Sequence, residues 1–428
     1  MTSQMQALLK DRYGAFIDPL ASEDTIAKFA KFVPPSSRNG RNYKFPVYLG
    51  LPHGVTHNDD HTAFSLGSVV APVTEEASLL GSEILVRDNV AYADMFATGN
   101  GVSQGGGEGG AQMSAGDYKV LGLMKSGELY RELALMYGPG STSTAAVNLG
   151  VINASVSGAD LNAGQVINIT AATWIPGLWP LMTNAIIDIY QTDGTTVRAA
   201  GVTVTAPVEA TNRITVTKSA EAAVATAGDI LLARGAIDVS CYGIEAICAN
   251  SGSLFGISAA SYPQWQVGSH SAGTAPLERR DVLTIGSKAA NRGHKTGGTL
   301  FVGSHAFDDL AEEANELLQT APSSNDVVVQ GATKLSYRTA CGQVDVQSYR
   351  FMKQSIGVFM PKGGVKRVGS TDLTFRDPMS KEDWFYTQLG DNAGGQMRIY
   401  SDQAVILEQP WLSCYVTAIS STGDTDPA

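Results

Sequence analysis

Three histidines, His53, His57 and His61, stand four residues apart, with Asp59 and Asp60 between the last two. On a helix this spacing would stack three imidazoles on one face beside two carboxylates, a set able to hold zinc or another divalent ion. Pro52 and Gly54 flank His53 and no apolar stripe accompanies the run, so the helix that would align the rings lacks support and the segment reads as a polar loop. Gly293-His294-Lys295-Thr296 resembles the end of a phosphate-binding loop, but His294 stands where Lys should follow Gly and Gly286 is the wrong distance upstream. Gly99 to Gly110 holds seven glycines in twelve residues ahead of a helix, the setting in which bare amides hold pyrophosphate. No buried strand leads into it, and the reading that fits is a flexible hinge that includes Gly105 and Gly109. Cys241, Cys248, Cys341 and Cys414 contain no C-x-x-C pair and lie in apolar or strand-like contexts, so they read as reduced and buried. H-E-x-x-H and a glycine-flanked Asp ladder are both missing. No catalytic residue, cofactor or metal is expected.

Composition narrows the class. The 428 residues leave room for about three domains at roughly 150 residues each, so the core needs no disulfide or metal staple. The longest apolar candidate, Trp174 to Met182, is far short of the ~18 residues that span a bilayer and contains Pro176 and Pro180, so a soluble chain without membrane association is expected. The start, Met1-Thr2-Ser3-Gln4, has no basic stretch before an apolar core, and synthesis is expected to end in the cytosol. Charged residues are 17% of the chain, against about 25% in a typical soluble domain. Two readings fit: surface hidden against other chains, since interface cores are depleted in charge, or simply a Gly- and Ala-rich composition. The net charge of -11 argues against a dedicated nucleic-acid binder. The first 50 residues depart from this, with seven basic residues against four acids, and no acid occurs from Lys28 to Lys44. Lys28, Lys31, Arg38, Arg41 and Lys44 are the candidates for a phosphate-facing arm, and the plain alternative is a solvated segment.

The elements that must position these residues are legible in part. Ser22 can cap a helix with Glu23 and Asp24 in its first turn and Ile26, Phe29, Ala30 and Val33 on its apolar face, stopped by Pro34-Pro35. Phe45 to Ala97 has strand-like stretches such as Glu83 to Val86 and reads as a long excursion or hairpin. Ser114 and Asp117 make a helix-start signal, and Val120, Leu123, Gly127, Tyr130, Ala134 and Tyr137 recur at 3 and 4 spacing up to Gly138-Pro139. This predicts a helix on the order of 35 Å long, with Gly127 and Tyr130 in its packing seam. Between Glu132 and Asp188 only Asp160 is charged, and strands are expected at Val166 to Ile169, Ile186 to Tyr190, Val202 to Thr205 and Ile214 to Thr217, making a small β-domain. Leu277 to Arg292 and Ser304 to Ala321 read as helices around a strand at Gly298 to Val302, and the acidic face of the second, with Asp308, Asp309, Glu312, Glu313 and Glu316, reads as solvated. Met397 to Ile419 alternates like paired strands. The class is α+β, without internal repeats.

The order of these parts resembles a major capsid protein of a tailed bacteriophage. Local runs carry the resemblance: Lys44-Phe45-Pro46-Val47 before His53-Gly54-Val55-Thr56; Tyr137-Gly138-Pro139-Gly140 closing the long helix; Ala227-Gly228-Asp229-Ile230; Gly252-Ser253-Leu254-Phe255-Gly256-Ile257-Ser258 followed by Tyr262-Pro263-Gln264-Trp265; and Arg398-Ile399-Tyr400-Ser401-Asp402-Gln403-Ala404-Val405. It spans roughly 40 to 420, through the order of the runs and not through any single motif.

The resemblance implies the Johnson capsid fold, apportioned as an N-terminal arm (1–48), an extended loop (49–100), a hinge and the spine helix of a peripheral domain (101–140), a β-rich peripheral or inserted segment (141–236), an axial domain (237–368) and returning strands with a C-terminal tail (369–428). It implies a non-enzymatic structural protein of the virion, assembled in the host bacterial cytoplasm as pentamers and hexamers of an icosahedral shell. The partners it implies are a scaffolding protein, a portal protein, a decoration protein and, through weak non-specific contact, packaged double-stranded DNA. Some members weld neighbours by an isopeptide bond from a Lys in the extended loop, but no lysine occurs here between Lys44 and Lys119, so non-covalent closure is expected. With no long extension before the arm, a separately encoded scaffold is expected. The alternatives are a secreted β-rich surface-layer or adhesin-like protein, and a hydrolase whose polar groups meet only in space.

Overall fold

The computed structural model describes residues 25–34, 42–57, 66–91, 115–140, 148–158, 160–319, 335–377, 386–388 and 394–420. The chain divides into two compact units. The described residues of the smaller come from Glu83–Glu132 and Thr371–Asp402, and those of the larger from Thr25–Ser82, Leu133–Ser370 and the chain after Gln403.

The larger unit opens with α1 (Thr25–Phe29) and β1 (Lys31–Val33). The expected helix through Val33 is therefore corrected: it is one turn long, and Lys31, Phe32 and Val33 leave it to pair in parallel with Lys366, Arg367 and Val368. A β-branched and an aromatic residue ahead of Pro34 gain ladder hydrogen bonds that a fraying last turn would not supply. The Arg367 guanidinium fixes the switch, donating from Nε to the Ala30 carbonyl at 2.9 Å and from Nη1 to Gln403 Oε1 at 2.9 Å. Ile26 and Ala30 are fully buried, so this part of the expected arm belongs to the core. Ser22, Glu23 and Asp24 lie outside the described residues.

Strands β2 (Asn42–Gly50) and β3 (Val73–Leu80) form an antiparallel hairpin, lengthened by a bridge between His53 and Val70, and β4 (Ser82–Ala91) follows. Helix α2 (Ala115–Tyr137) runs 23 residues, about 35 Å. At its end Gly138 lies so close to the backbone that a Cβ there would stand 2.2 Å from the Cys241 carbonyl oxygen, and Gly140 takes a φ of +61°.

Six strands then close into a barrel: β5 (Gly150–Ser157), β6 (Gln165–Ile169), β7 (Ile186–Tyr190), β8 (Val197–Val208), β9 (Arg213–Thr217) and β10 (Ile230–Ala233), in the order β10-β5-β6-β9-β8-β7. Period-2 alternation sends Ile167, Ile169, Val202, Val204, Ile214 and Val216 to full burial. At one end the Asp188 carboxylate accepts the amides of Gly201 and Gly235, both at 2.7 Å. The chain leaves and returns through a narrow neck, where the Asp238 amide donates to the Gly140 carbonyl at 3.0 Å and Pro139 bridges Tyr242.

Beyond the neck come α3 (Ile244–Ala249), the short pair β11 (Ser253–Leu254) and β12 (Ile257–Ser258), β13 (Gly268–Ala275), α4 (Arg279–Asn291), β14 (Gly298–Val302), α5 (Ser304–Gln319), β15 (Leu335–Thr339), β16 (Gly342–Ser348), β17 (Gly357–Pro361), β18 (Val365–Thr374), β19 (Tyr386–Gln388), β20 (Gly394–Leu407) and β21 (Cys414–Ile419). The mixed sheet β13-β21-β17-β14-β16-β15 carries the main core. Val282, Ile285 and Ala289 of α4 and Ala306, Phe307 and Leu310 of α5 pack with Leu300 and Val302 of β14. Phe301, which alternation sends to the opposite face, meets Phe29 edge-on at 5.0 Å. The expected pairing within Met397 to Ile419 is corrected: β20 neighbours β18, β19 and β4, whereas β21 lies between β13 and β17. The turn Pro410–Leu412 separates them and redirects the chain to the other sheet.

In the smaller unit the first part of α2 packs with the ends of β18 and β20. A Cβ on Gly127 would stand 3.1 Å from Leu373 Cδ1 and 3.3 Å from Ile399 Cγ2. Arg131 pairs with Asp372 at 3.2 Å, and Lys119 with Asp88 at 2.9 Å. The long face of a leucine does not fit that seam, so Gly127→Leu should lower the thermal midpoint. Overpacking costs about 1–3 kcal/mol, more than the ~1 kcal/mol that a better helix former returns. In the larger unit, Ile26→Ala should cost about 2–5 kcal/mol in denaturant unfolding, and deletion through Val33 should damage folding as well as assembly.

Candidate functional site

One turn, Tyr349 to Ile356, gathers most of the larger unit. The Tyr349 amide donates to the Val302 carbonyl at 2.9 Å, tying the turn to β14, and the Ile419 amide donates to the Ser355 carbonyl at 3.1 Å, tying it to β21. Arg350 Nη2 donates to the Gly177 carbonyl at 3.3 Å and Ser355 Oγ to the Ala172 carbonyl at 2.6 Å, both in the barrel segment between β6 and β7. Tyr137, the last residue of α2, donates its hydroxyl to the Phe351 carbonyl at 2.5 Å and accepts the Lys353 amide at 3.0 Å. At the centre Lys353 Nζ meets both carboxylate oxygens of Glu245 at 2.8 Å, with 3% and 2% of the two side chains exposed.

The electrostatics follow from that burial. Loss of hydration pushes the Glu245 carboxyl up and the Lys353 amine down, and each opposes the other's shift by pairing. The Tyr137 hydroxyl is held well above its ordinary value by burial and then by the Glu245 charge, and Tyr415 is raised for the same two reasons. The Lys353 ammonium also lies 4.9 Å from the centre of the Tyr137 ring. Every polar atom of the pair faces a partner, and no bound substrate is needed to complete the set. The cluster is a structural junction. Nothing in the sequence reading singles out Lys353 or Glu245, which are 108 residues apart.

The second feature is the hairpin. Its base is built into the larger unit: Tyr43, Ala77 and Leu79 are buried, the Ser78 amide donates to the Phe255 carbonyl at 2.9 Å, and Gln264 Nε2 donates to the Leu49 carbonyl. Beyond the base the side chains change character. Leu51, Val55, Leu66, Val69 and Val70 are all exposed, Val69 to 82%, and Tyr48 to 54%. These large apolar side chains form an exposed patch beyond the paired strands of the hairpin.

The residues picked out by sequence fall in different places. Lys28 and Lys31 are exposed on α1 and β1, and Lys44 on β2 is paired with Glu76 at 2.5 Å. Arg38, Arg41, Gly105 and Gly109 lie outside the described residues, as does His61. Gly127 is buried in the smaller unit, and Tyr130 is half-buried, its hydroxyl raised by desolvation. His53 bridges Val70 in extended chain, so no helix aligns the histidines, and His294 Nε2 lies 2.6 Å from the Gly297 carbonyl oxygen in the turn after α4. All four cysteines are buried and free, and burial pushes the Cys241 thiol up to about 12.

Two patterns that the sequence reading passes over sit within the glycine run: Gly101-Val102-Ser103-Gln104-Gly105 spells G-x-S-x-G and Gly105 to Gly110 spells G-x-G-x-x-G. Both lie outside the described residues. A nucleophile elbow or a dinucleotide turn opens directly into a helix, but α2 starts at Ala115, ten residues beyond Gly105 and five beyond Gly110. Glycine density accounts for both. Among the described residues no helix is long and apolar enough to cross a membrane, and no three His, Cys, Asp or Glu side chains group as metal ligands.

With a projecting hairpin, a long helix and a mixed α/β unit carrying an inserted barrel, this is the tailed-phage major capsid fold. The capsid asymmetric unit of cyanophage A-1(L) matches it with a TM-score of 0.55 at 10% identity, over 98% of this chain and 100% of that one. The capsid of cyanophage P-SCSP1u is similar with a TM-score of 0.45 at 10% identity, over 97% and 94% of the two chains. An encapsulin of Synechococcus elongatus PCC 7942 has a TM-score of 0.46 at 7% identity, over 99% and 96%. The fold rests on the first of these. No family model and no curated protein matches the chain.

The junction makes a specific demand on mutants. Lys353→Met leaves Glu245 buried without a partner and should cost about 3–5 kcal/mol in denaturant unfolding followed by tryptophan fluorescence. Lys353→Met combined with Glu245→Leu should recover most of that loss, because no charge then remains to be solvated.

Proposed function

We propose that this chain is the shell-forming major capsid protein of a tailed phage, a structural protein without catalytic activity. The observation that carries the reading is the hairpin, whose base is locked in the larger unit while its distal part holds out Leu51, Val55, Leu66, Val69 and Val70. A monomer would carry that apolar surface at a cost, whereas an array of identical chains covers it. The low charge content fits extensive contact between copies. The fold shared with a cyanophage capsid supports the same reading.

On this proposal the copies form pentamers and hexamers of an icosahedral virion shell, built in the host cytoplasm with a scaffolding protein and joined by portal and decoration proteins. Lys28 and Lys31, both exposed, and Lys44, paired with Glu76, are the described members of the arm that would face packaged DNA. Purified protein supplied with scaffold should give closed particles in electron microscopy, and without it tubes or sheets. Leu66→Asp with Val69→Asp should leave circular dichroism and melting unchanged while abolishing particles. A strictly monomeric wild type, or full assembly of that double variant, would sink the proposal. Because no lysine lies between Lys44 and Lys119, particles boiled in detergent should run as one band near 45.0 kDa, and a ladder of linked oligomers would overturn non-covalent closure.

A further inference from the structure

The six-stranded sheet of the larger unit ends in two edges of different character. At β13 the Lys288 ammonium donates to the Ser269 carbonyl at 2.8 Å, and the ladder with β21 loses register between Ser271 and Ala275, where Gly273 and Thr274 take φ values of +73° and +60°. A lysine and a bulge are common means of keeping an edge from pairing. At β15 the ladder with β16 runs unbroken from Leu335 to Thr339, and among the described residues no strand pairs with its outer side. The backbone groups on that side follow from β16. The Tyr349 amide donates to the Val302 carbonyl at 2.9 Å and the Gly297 amide to the Cys341 carbonyl at 2.8 Å, so odd-numbered residues along β16 bond toward β14 and even-numbered ones toward β15. Leu335, Tyr337 and Thr339 therefore bond to Val346, Val344 and Gly342, and the N–H and C=O groups of Ser336 and Arg338 point outward.

A cavity of about 320 Å³ lies along this edge. Ser336, Tyr337 and Arg338 all line it, although consecutive side chains of a strand point to opposite faces, so the space runs beside the strand and not over one face. Toward the helices it is walled by Leu283 and Ala314, with Arg279 and Glu313, whose charges are opposite. On the other face Ser336 Oγ donates to Asp345 Oδ1 at 2.6 Å, and Gln343, which stands across the ladder from Arg338, donates to the same oxygen at 2.9 Å. Arg338 is exposed and forms no ion pair among the described residues. The edge thus carries an acid beside Ser336 and a cation two residues further on.

We propose that β15 is a two-fold contact between copies of this chain, in which it pairs antiparallel with β15 of a second copy about an axis through Tyr337. The bonds set the axis: with Ser336 of each copy facing Arg338 of the other, both outward N–H and both outward C=O groups of each strand find partners. In that register the Arg338 side chain crosses Ser336 of the second copy in line with its Asp345, and the two-fold repeats the attraction. The cleft beside each strand supplies the room for the incoming one, and on the helix side Arg279 and Glu313 sum to zero charge, so two copies do not repel there. An isologous contact closes on itself, so the open edge does not propagate into a fibre. The inference rests on the sheet and not on the shell reading.

Light scattering on the full-length Leu66→Asp, Val69→Asp variant, whose hairpin surface is made polar, tests it across concentration. The variant should pass from monomer to a dimer of twice 45.0 kDa. Adding Ser336→Pro removes only an outward N–H, so it should weaken the dimer at least about tenfold while hydrogen exchange shows β14, Gly298–Val302, still protected. Arg338→Asp should weaken it to a similar degree, and combining it with Asp345→Arg should restore it, which damage to folding would not do. Tyr337→Cys should give a disulfide-linked dimer under mild oxidation, because non-hydrogen-bonded partners stand about 4.5 Å apart at Cα, within disulfide range, and Leu335→Cys should not. A variant that stays monomeric at every concentration, or dimers indifferent to both Ser336→Pro and the charge exchange, overturns the proposal. The shell reading keeps its own test, since particles are scored on the wild type.

Discussion

The constraint on which the larger unit depends is the burial of one opposite-charge pair. Removing an ammonium and a carboxylate from water costs several kcal/mol per ion, and only close, fully satisfied geometry recovers it. Lys353 and Glu245 meet that condition because three separate pieces of chain arrive together: α3 brings Glu245, the end of α2 brings the Tyr137 ring and hydroxyl, and the 349–356 turn brings the lysine. A slip of any one piece strands a charge in an apolar interior. Hydrophobic contacts tolerate small displacements, but this contact does not, so it selects one arrangement among many that would bury the same area. The same turn also holds the barrel through Arg350 and Ser355, which passes the constraint to a part of the chain with few charged residues of its own.

How much of this was legible in the sequence depended on whether the deciding contacts were local. Helix α2 was legible because Leu123, Gly127, Tyr130 and Tyr137 repeat at helical spacing and Gly138-Pro139 stops it. Strand β14 and helix α5 were legible for the same reason. The segment at Lys31 to Val33 was not, since its conformation is decided by a partner more than 330 residues away and by an arginine bond to Ala30. Strands β20 and β21 alternate alike, and periodicity carries no information about which sheet each joins. In the candidate site, the exposed part of the hairpin was readable as an excursion but its apolar surface was not, because Leu51, Val69 and Val70 look like ordinary strand residues until burial is known. Lys353 and Glu245 gave no signal, for a buried ion pair has no spacing rule.

Low identity to the cyanophage capsid is consistent with this division. At 10% identity most side chains differ, yet the architecture persists over the full length of both chains. Alternating burial, helical periodicity and a few close backbone approaches, such as Gly138 against Cys241, are satisfied by many sequences of the same pattern. The chemistry-like motifs of the first reading are of the opposite kind. His53, His57 and His61 demand exact local geometry, and His53 instead pairs with Val70 in extended chain.

The neck at Gly140 and Asp238 has a further consequence. Within the larger unit the whole barrel is entered and left between two residues that are hydrogen-bonded to each other at 3.0 Å. From the standpoint of the rest of the chain the excursion is equivalent to a turn: its length, sequence and strand count do not alter the distance that must be spanned. Closing so long a loop adds little entropic cost over a shorter one, since the penalty grows only with the logarithm of length. This is a cassette boundary, a position where a module can be enlarged, shrunk or exchanged for one whose termini lie close together, provided the bonds that Arg350 and Ser355 make to the barrel are replaced.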